Sequence, residues 1–326
     1  MVKLADVSGI EKPVLEYQAS DEFILPTCAV GLELELEHVP RALHVRMPEE
    51  LQKWWNLVPE GSLRNNGAEF VLRRPLFGKD LDNAITALTQ EIEKWKAEDA
   101  NYFQSSSRTS FHVHLDIRDL DTTEQLYSLL MHYLITERSL FQYFDDERED
   151  NIFCLPFYRT WGAVYIFRHL LGEDPQLIRG RMMRDGGRYD HGLFKYSAFN
   201  AAPMFGQGSV EFRHAPALCT AKAIKEWVNI IMCLKKAAQD RPARNKDIGG
   251  ELSINGIDFF YKEIFPNDLA DKLVFESTQM DALQGVRLGQ QVENAIFYEE
   301  LDEERKRVNN RAQAFDGKAI INPNYL

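Results

Sequence analysis

Short runs of alternating polar and apolar residues recur along this chain, each followed by a longer stretch with helical spacing. The stretch from Phe23 to Glu37 reads as a strand and ends in strict alternation, with Leu32, Leu34 and Leu36 set against Glu33, Glu35 and Glu37. Ala68 to Arg73 reads as a second strand. Asp80 then stands as an N-cap before Leu81, Ala84, Ile85, Leu88, Ile92 and Trp95, the spacing of a helical apolar face. Strand-like residues return at Thr109 to Ile117. Asp121-Thr122-Thr123-Glu124 has the form of a capping box at the head of a helix striped by Leu126, Leu129, Leu130, Leu134 and Phe141. A further strand is Gly208 to His214. A further amphipathic helix runs from about Thr220 to Lys236, with Ile224, Trp227, Val228, Ile231 and Leu234 as its buried face.

These elements do not fall into a uniform βαβ rhythm, and the strands carry charge on one side, as antiparallel strands with one open face do. The pattern predicts an α+β domain with a curved, mainly antiparallel sheet and helices packed on its back. We divide the chain into a leader over 1–22, this domain over 23–240, and a linker with a helical C-terminal region over 241–326. The linker is read from Gln239 to Gly256, where Pro242, Gly249, Gly250 and Gly256 cluster. The acidic, helix-prone residues beyond it, to about Gln313, read as a helical appendage.

Composition narrows the function. A net charge of −12 argues against a protein that coats nucleic acid, because that affinity comes from Lys and Arg on phosphates. The balance reverses locally: from Arg159 to Arg213 there are eight basic residues against five acidic ones, which suits a confined anionic ligand. Cys28, Cys154, Cys219 and Cys233 have no CxxC spacing and read as buried thiols in a reducing compartment. No basic region precedes an apolar run at the N-terminus, and no segment offers about 18 uninterrupted apolar residues, so a cytoplasmic protein with no membrane partner is expected.

Four polar patterns could carry chemistry. In Gly31-Leu32-Glu33-Leu34-Glu35-Leu36-Glu37 the three acids share one face of a strand, about 7 Å apart. A solvated sheet face would look the same, but Glu is a poor strand former and three like charges repel, a conflict that a divalent cation would resolve. In Phe111-His112-Val113-His114-Leu115-Asp116 the two histidines and Asp116 share a face, a spacing common to metal ligands and to structural pairs. In Ser209-Val210-Glu211-Phe212-Arg213-His214 a carboxylate and a guanidinium point together, either as an ion pair or as a metal ligand with a phosphate-binding Arg beside it. Gly61-Ser62-Leu63 and Gly67-Ala68-Glu69-Phe70-Val71 read as a loop that delivers Glu69 onto a strand, or as a hairpin whose Glu69 is solvated. Carboxylates and His gathered from three strands suit Mg²⁺ or Mn²⁺. No Walker A, GxGxxG or GxSxG pattern is present, which leaves metal and arginine as the route to phosphate.

With these motifs in this order, GLELE, GSL…NGAEFV, FHVHLD, KYSAFN and GSVEFRH, the chain from about Val30 to Lys236 resembles the amidoligase family, relatives of glutamine synthetase and glutamate–cysteine ligase. The resemblance implies a glutamine-synthetase-like catalytic fold and an ATP- and Mg²⁺-dependent ligase that joins a carboxylate to an amine through an acyl phosphate. It implies that Glu33 and Glu35 are paired metal ligands, that Glu69 is the acid of the second strand, and that either His112 or His114 helps hold a metal. It makes Glu211 the late metal ligand and Arg213 its companion on phosphate, with Glu35, Glu211 and Arg213 the catalytic set. Arg181, Arg184, Arg188 and Lys195 become candidates for ATP phosphates or a substrate carboxylate, and Asn200 either orients substrate or caps a turn. Substrates would be small-molecule, peptide or protein carboxylates and amines, with a glutaminase as a partner that supplies ammonia and an oligomer as one assembly. The chain departs from the family at Thr109-Ser110, where a Gly is usual, at Glu60, where an Asp is usual, and in the basic run Leu72-Arg73-Arg74-Pro75. Two rival functions are a metal-dependent hydrolase built on His112 and His114, and an inactive ligase-like binding module.

Overall fold

The computed structural model describes residues 2–11, 18–144, 148, 149, 151, 153–157, 167–189, 196–242, 245–273 and 279–297. Six strands form one sheet: β1 (Val30–Leu36), β2 (Trp55–Pro59), β3 (Ala68–Leu72), β4 (Phe111–Asp116), β5 (Phe199–Asn200) and β6 (Ser209–Ala215). Their order is β2-β3-β1-β4-β6-β5, and every neighbouring pair is antiparallel. The α+β class and the antiparallel sheet expected from the sequence are both present.

Alternation builds the sheet's two faces. Leu32, Leu34 and Leu36 of β1 are fully buried, while Glu33 and Glu35 between them are partly open. Phe70, Val113, Leu115, Val210 and Phe212 continue the apolar face on the neighbouring strands. Each such side chain contributes about 1.5–3 kcal/mol on full burial. The first strand is shorter than the sequence suggested. Before Val30 the chain turns, with Cys28 N–H donating to Leu25 O at 3.0 Å and Ile24 N–H held by Asn229 Oδ1 at 2.9 Å. Pro26 has no N–H to give a ladder there, which favours the turn. Strand β2 was not foreseen; it pairs with β3 to close the 60–67 loop into a hairpin.

Helices α1 (Gly78–Glu98), α2 (Thr123–Gln142) and α4 (Ala221–Asp240) supply apolar faces to the core, and α3 (Pro175–Tyr189) lies between the last two in sequence. Asp80 falls inside the first turn of α1 rather than at its cap, which is Phe77, and there it still complements the helix dipole. Helix α2 begins one residue later than read: Thr122 is the N-cap, and its box partner is Gln125 rather than Glu124. The foreseen face of α4, Ile224, Trp227, Val228, Ile231 and Leu234, is fully buried, and Thr220 caps that helix.

The stretch read as a linker is mostly helical. Helix α5 (Asn245–Ile264) follows α4 closely and breaks only at Gly256, whose φ of 81° lies in the left-handed region. Helices α6 (Asn267–Leu273) and α7 (Gln279–Phe297) come after it. Leu252, Tyr261, Leu269, Leu273 and Ala282 are buried in the same core as the back of the sheet, and Tyr261 donates to Ser139 Oγ of α2 at 2.6 Å. Tertiary burial outweighs the low helix propensity of the glycines here. Within 1–22, residues Leu4–Ser8 form a short helix that buries Leu4 and Val7, with Val2 O accepting the Thr123 N–H at 3.0 Å. Cys28, Cys154 and Cys233 are buried free thiols and Cys219 is half-buried. Among the described residues no helix is long and apolar enough to cross a membrane.

Helix α7 approaches α2 closely because Gly285 sits on its backbone. A Cβ at Gly285 would overlap the carbonyl of Leu134. Gly285→Ala should therefore destabilise the protein by about 1–3 kcal/mol, the usual cost of overpacking. Thermal unfolding checks this, and an unchanged melting temperature would mean that α7 does not hold α2 in this way.

Candidate active site

The face of the sheet opposite the leucines gathers the acids and histidines. Pairing sets Glu35 against Glu69, Glu33 against His112, Gly31 against His114, and His114 against Glu211. Four strands therefore bring Glu33, Glu69, His112, His114 and Glu211 together. Gly31 makes room for His114, since a Cβ there would stand 3.2 Å from the His114 Cβ.

Two groups of three donors result: Glu33, Glu69 and His112, and Glu33, His114 and Glu211, with the potential ligand atoms of each within 4.8 Å of one another. Glu33 belongs to both. Its Oε2 lies 3.2 Å from His112 Nδ1, and its Oε1 lies 3.2 Å from His114 Nε2. Glu211 Oε1 lies 3.4 Å from His112 Nδ1 and 4.0 Å from His114 Nε2. Both histidines, and not one of them, thus face carboxylates, while His114 Nδ1 is buried without a hydrogen-bond partner among the described residues. Each set offers carboxylate oxygens with one imidazole, donors that fit Mg²⁺ or Mn²⁺.

Glu35 is placed differently. Its Oε2 accepts the hydroxyl proton of Ser110, whose Oγ is 2.7 Å from His112 Nε2. A serine has one proton to give. With that proton donated to Glu35, Ser110 Oγ accepts from His112 Nε2–H, and Nδ1 is the nitrogen turned to Glu33 and Glu211. Ser110 was missed as a site residue, although a strand read from Thr109 to Ile117 sets its hydroxyl on the same face as His112.

At the other side of Glu211, Arg213 Nη1 donates to Oε1 and Asn200 Nδ2 donates to Oε2 at 2.8 Å. Asn200 Oδ1 also accepts from Ala202 N–H at 2.9 Å, so Asn200 caps a turn, and its amide in addition orients the Glu211 carboxylate rather than standing free. Arg213 Nε donates to Phe153 O at 3.3 Å. Glu37 turns away from the cluster and accepts from Arg64 N–H at 3.0 Å, and Asp116 is taken by a bidentate pair with Arg118 at 2.8 Å. Arg108 Nη1 ties Ser62 O at 2.8 Å, and Asn151 Nδ2 ties Ser107 O at 2.6 Å, which fastens the loops at this end of the sheet to one another. Arg188 lies in α3, where its side chain is outside the described residues, as is that of Arg184; Lys195 lies outside them altogether, and Arg181 is exposed on that helix.

Charge is unevenly shared. Burial pushes the Glu33 carboxyl up, but the bonds and charges of His112 and His114 outweigh it and hold Glu33 well below the usual range. Burial likewise opposes the ionised Glu211, and the charges of Arg213, His112 and His114 overcome it. Burial disfavours the charged form of His114, yet its bond to Glu33 and the charge of Glu211 raise it above its ordinary value. Glu69 has no such help: burial, then the charges of Glu33 and Glu35, push it up to about 8.

That shift has a sign for stability. The folded protein holds the Glu69 proton more tightly than the unfolded chain does, so its contribution is present in full below about 4.5 and is lost as pH rises through about 8. Glu33 and Glu211, both depressed, act in the opposite window and lose their contribution as pH falls. The metal-free protein should lose stability as pH rises from about 4.5 through about 8, and Glu69→Gln should remove much of that loss. Melting temperature across a pH series reads it; an identical slope in the variant would acquit Glu69.

Residues 74–235 match the family described as "Putative amidoligase enzyme". No curated protein matches the chain. The matched segment takes in β4, β5 and β6, and so His112, His114, Asn200, Glu211 and Arg213, whereas Glu33, Glu35 and Glu69 come from β1 and β3 ahead of it. From the motifs on these strands, the donors they bring together and the span of this match, the chain belongs to the amidoligase family.

Proposed function

We propose that this chain is an ATP- and Mg²⁺-dependent carboxylate–amine ligase that works through an acyl phosphate. The observation that carries the reading is the sharing of Glu33 by two donor groups with Arg213 paired to Glu211 at their margin. Donor groups bridged by one carboxylate suit a pair of cations, and a guanidinium beside them suits a phosphate oxygen. Bound Mg²⁺ would neutralise phosphate charge and align the reacting oxygens.

The side chains divide the work. Glu33 serves both groups, Glu69 and His112 complete one, and His114 and Glu211 complete the other. Glu35, read from the sequence as a direct ligand, acts here at least through Ser110, which fixes the His112 ring. Asn200 holds one oxygen of Glu211 so that the other faces the histidines. Arg213 takes the transferring phosphate, and Arg188 and Lys195 remain candidates for the rest of the ATP phosphates. A substrate carboxylate attacks the γ-phosphate and releases ADP; an amine then displaces phosphate from the acyl phosphate to leave an amide. Phosphoryl transfer of this kind needs alignment and charge stabilisation more than a protein nucleophile. The carboxylate and amine would belong to small molecules, peptides or proteins, with ammonia from a glutaminase partner as one amine source. A hydrolase built on His112 and His114 alone leaves Glu69, Glu211 and Arg213 without a task, and an inactive module leaves the whole donor set without one.

A thermal-shift titration with Mg²⁺ and ADP tests the nucleotide site. Binding should raise the melting temperature, with about 2.7 kcal/mol available at a hundredfold excess over Kd, and Arg213→Ala should weaken the effect. Glu211→Gln and Glu35→Gln should abolish ADP release in the presence of substrates while leaving the protein folded. No Mg²⁺-dependent shift in folded wild type would sink the ligase reading, and near wild-type turnover in either Gln variant would remove that residue from the site.

A further inference from the structure

An irregularity in the ladder aims the polar face of the sheet. Between β4 and β6, Phe111 faces Ala215 and Val113 faces Phe212. His112 therefore lies opposite two residues, Arg213 and His214, in a β-bulge on β6. A bulge disrupts the ladder, leaves main-chain groups to be satisfied by other means and redirects side chains.

Both bulged carbonyls go to one side chain. Arg148 Nε donates to His214 O at 3.2 Å, Nη2 to Arg213 O at 3.1 Å, and Nη1 to Thr109 O, just before β4, at 3.2 Å. Arg148 is only 5% exposed. A buried cation is costly unless its donors are met, and the planar fork of a guanidinium can meet three divergent carbonyls where the ammonium of a lysine acts as a compact point charge. Burial also holds its pKa below the ordinary arginine value. Three further groups of Arg213 are tied down: its N–H goes to Ala198 O at 2.9 Å, its Nε to Phe153 O and its Nη1 to Glu211. The Phe153 segment is fixed in turn, because Leu155 pairs with Ser197 and Phe157 N–H donates to Glu137 Oε1 at 2.6 Å.

We propose that Arg148 is a positioning residue of the active site: by closing the bulge between β4 and β6 it aims Arg213 at the point that His112 faces, while regular pairing with β1 holds His112 itself. It acts through Arg213 and not on the substrate, and this assignment rests on the reading of Arg213 as the phosphate-binding group. It distinguishes the metal donors, held by regular pairing, from the phosphate donor, held by the clamp.

Arg148→Lys keeps the charge and loses the fork, and Arg148→Gln keeps an amide and loses the charge. Each is compared with wild type for melting temperature, for Mn²⁺ binding by loss of the free-ion paramagnetic resonance signal, and for Mg²⁺-dependent ADP binding by calorimetry. Folded variants should retain Mn²⁺ binding close to wild type and bind ADP roughly 10- to 100-fold more weakly, a loss that general destabilisation would not confine to the nucleotide. Amide hydrogen exchange in peptides covering 109–113 and 209–215 should rise in both. Wild-type ADP affinity in a folded variant overturns the proposal. Failure of both variants to fold also overturns it, because Arg148 would then be a requirement of the fold and not of the site. If wild type binds Mn²⁺ but no ADP, the ligase reading fails instead, and exchange over 209–215 decides the clamp by itself: faster exchange there supports it and unchanged exchange overturns it.

Discussion

Repulsion among carboxylates on one face of the sheet is the constraint around which this protein is built. Glu35 and Glu69 stand directly opposite each other across β1 and β3, and Glu33 and Glu211 both approach His112 and His114. At such spacing like charges destabilise a sheet, and partial burial sharpens the effect. Local devices relieve it: a proton on Glu69, the imidazoles beside Glu33, and the guanidinium on Glu211. What remains must be offset by the other face, where continuous leucine, valine and phenylalanine burial against α1, α2 and α4 holds the strands in register. The thick helical layer behind the sheet, extended by α5, α6 and α7, is the counterpart of a polar face that would not stay assembled on its own terms.

Much of this was legible in the chain because alternation is a local signal. The leucines of β1 fix which way its glutamates point, and the same rule places His112 with His114 and Glu211 with Arg213. The buried face of α4 follows from 3.6-residue spacing with no knowledge of its partner. Features that depend on what lies opposite were not legible. Strand β2 has one buried residue at its head, Trp55, and little alternation, as an edge strand with little to bury. Among Asp121, Thr122 and Thr123 any residue could cap, and the reach of the Gln125 side chain to the main chain of Thr122 settles it. The glycines of 245–264 mimic a linker until Leu252 and Tyr261 find the core.

The site shows the same division. Its donors could be named one strand at a time, but that Glu33 belongs to two groups, that Glu35 bonds Ser110, and that Arg148 spans a bulge are facts of register. A one-residue offset in pairing leaves no mark on periodicity. Register also explains why both histidines are drawn in where the motif alone left a choice: β1 presents Glu33 between them, with one oxygen toward each.

The loops that rim this end of the sheet are held by bonds of a particular kind. Glu37 takes the N–H of Arg64, Arg108 takes the carbonyl of Ser62, Asn151 that of Ser107, and Asn66 that of Val39 at 2.6 Å. In each case one partner is main chain, a carbonyl that every amino acid supplies or an N–H that every one but proline does. The rim can therefore be rewritten at most of its positions without coming loose, while the strands beneath tolerate almost no change in what they present. A loop tie and a strand ladder thus respond differently to substitution: the first survives a change of side chain at its main-chain partner, the second carries its donors in the side chains themselves.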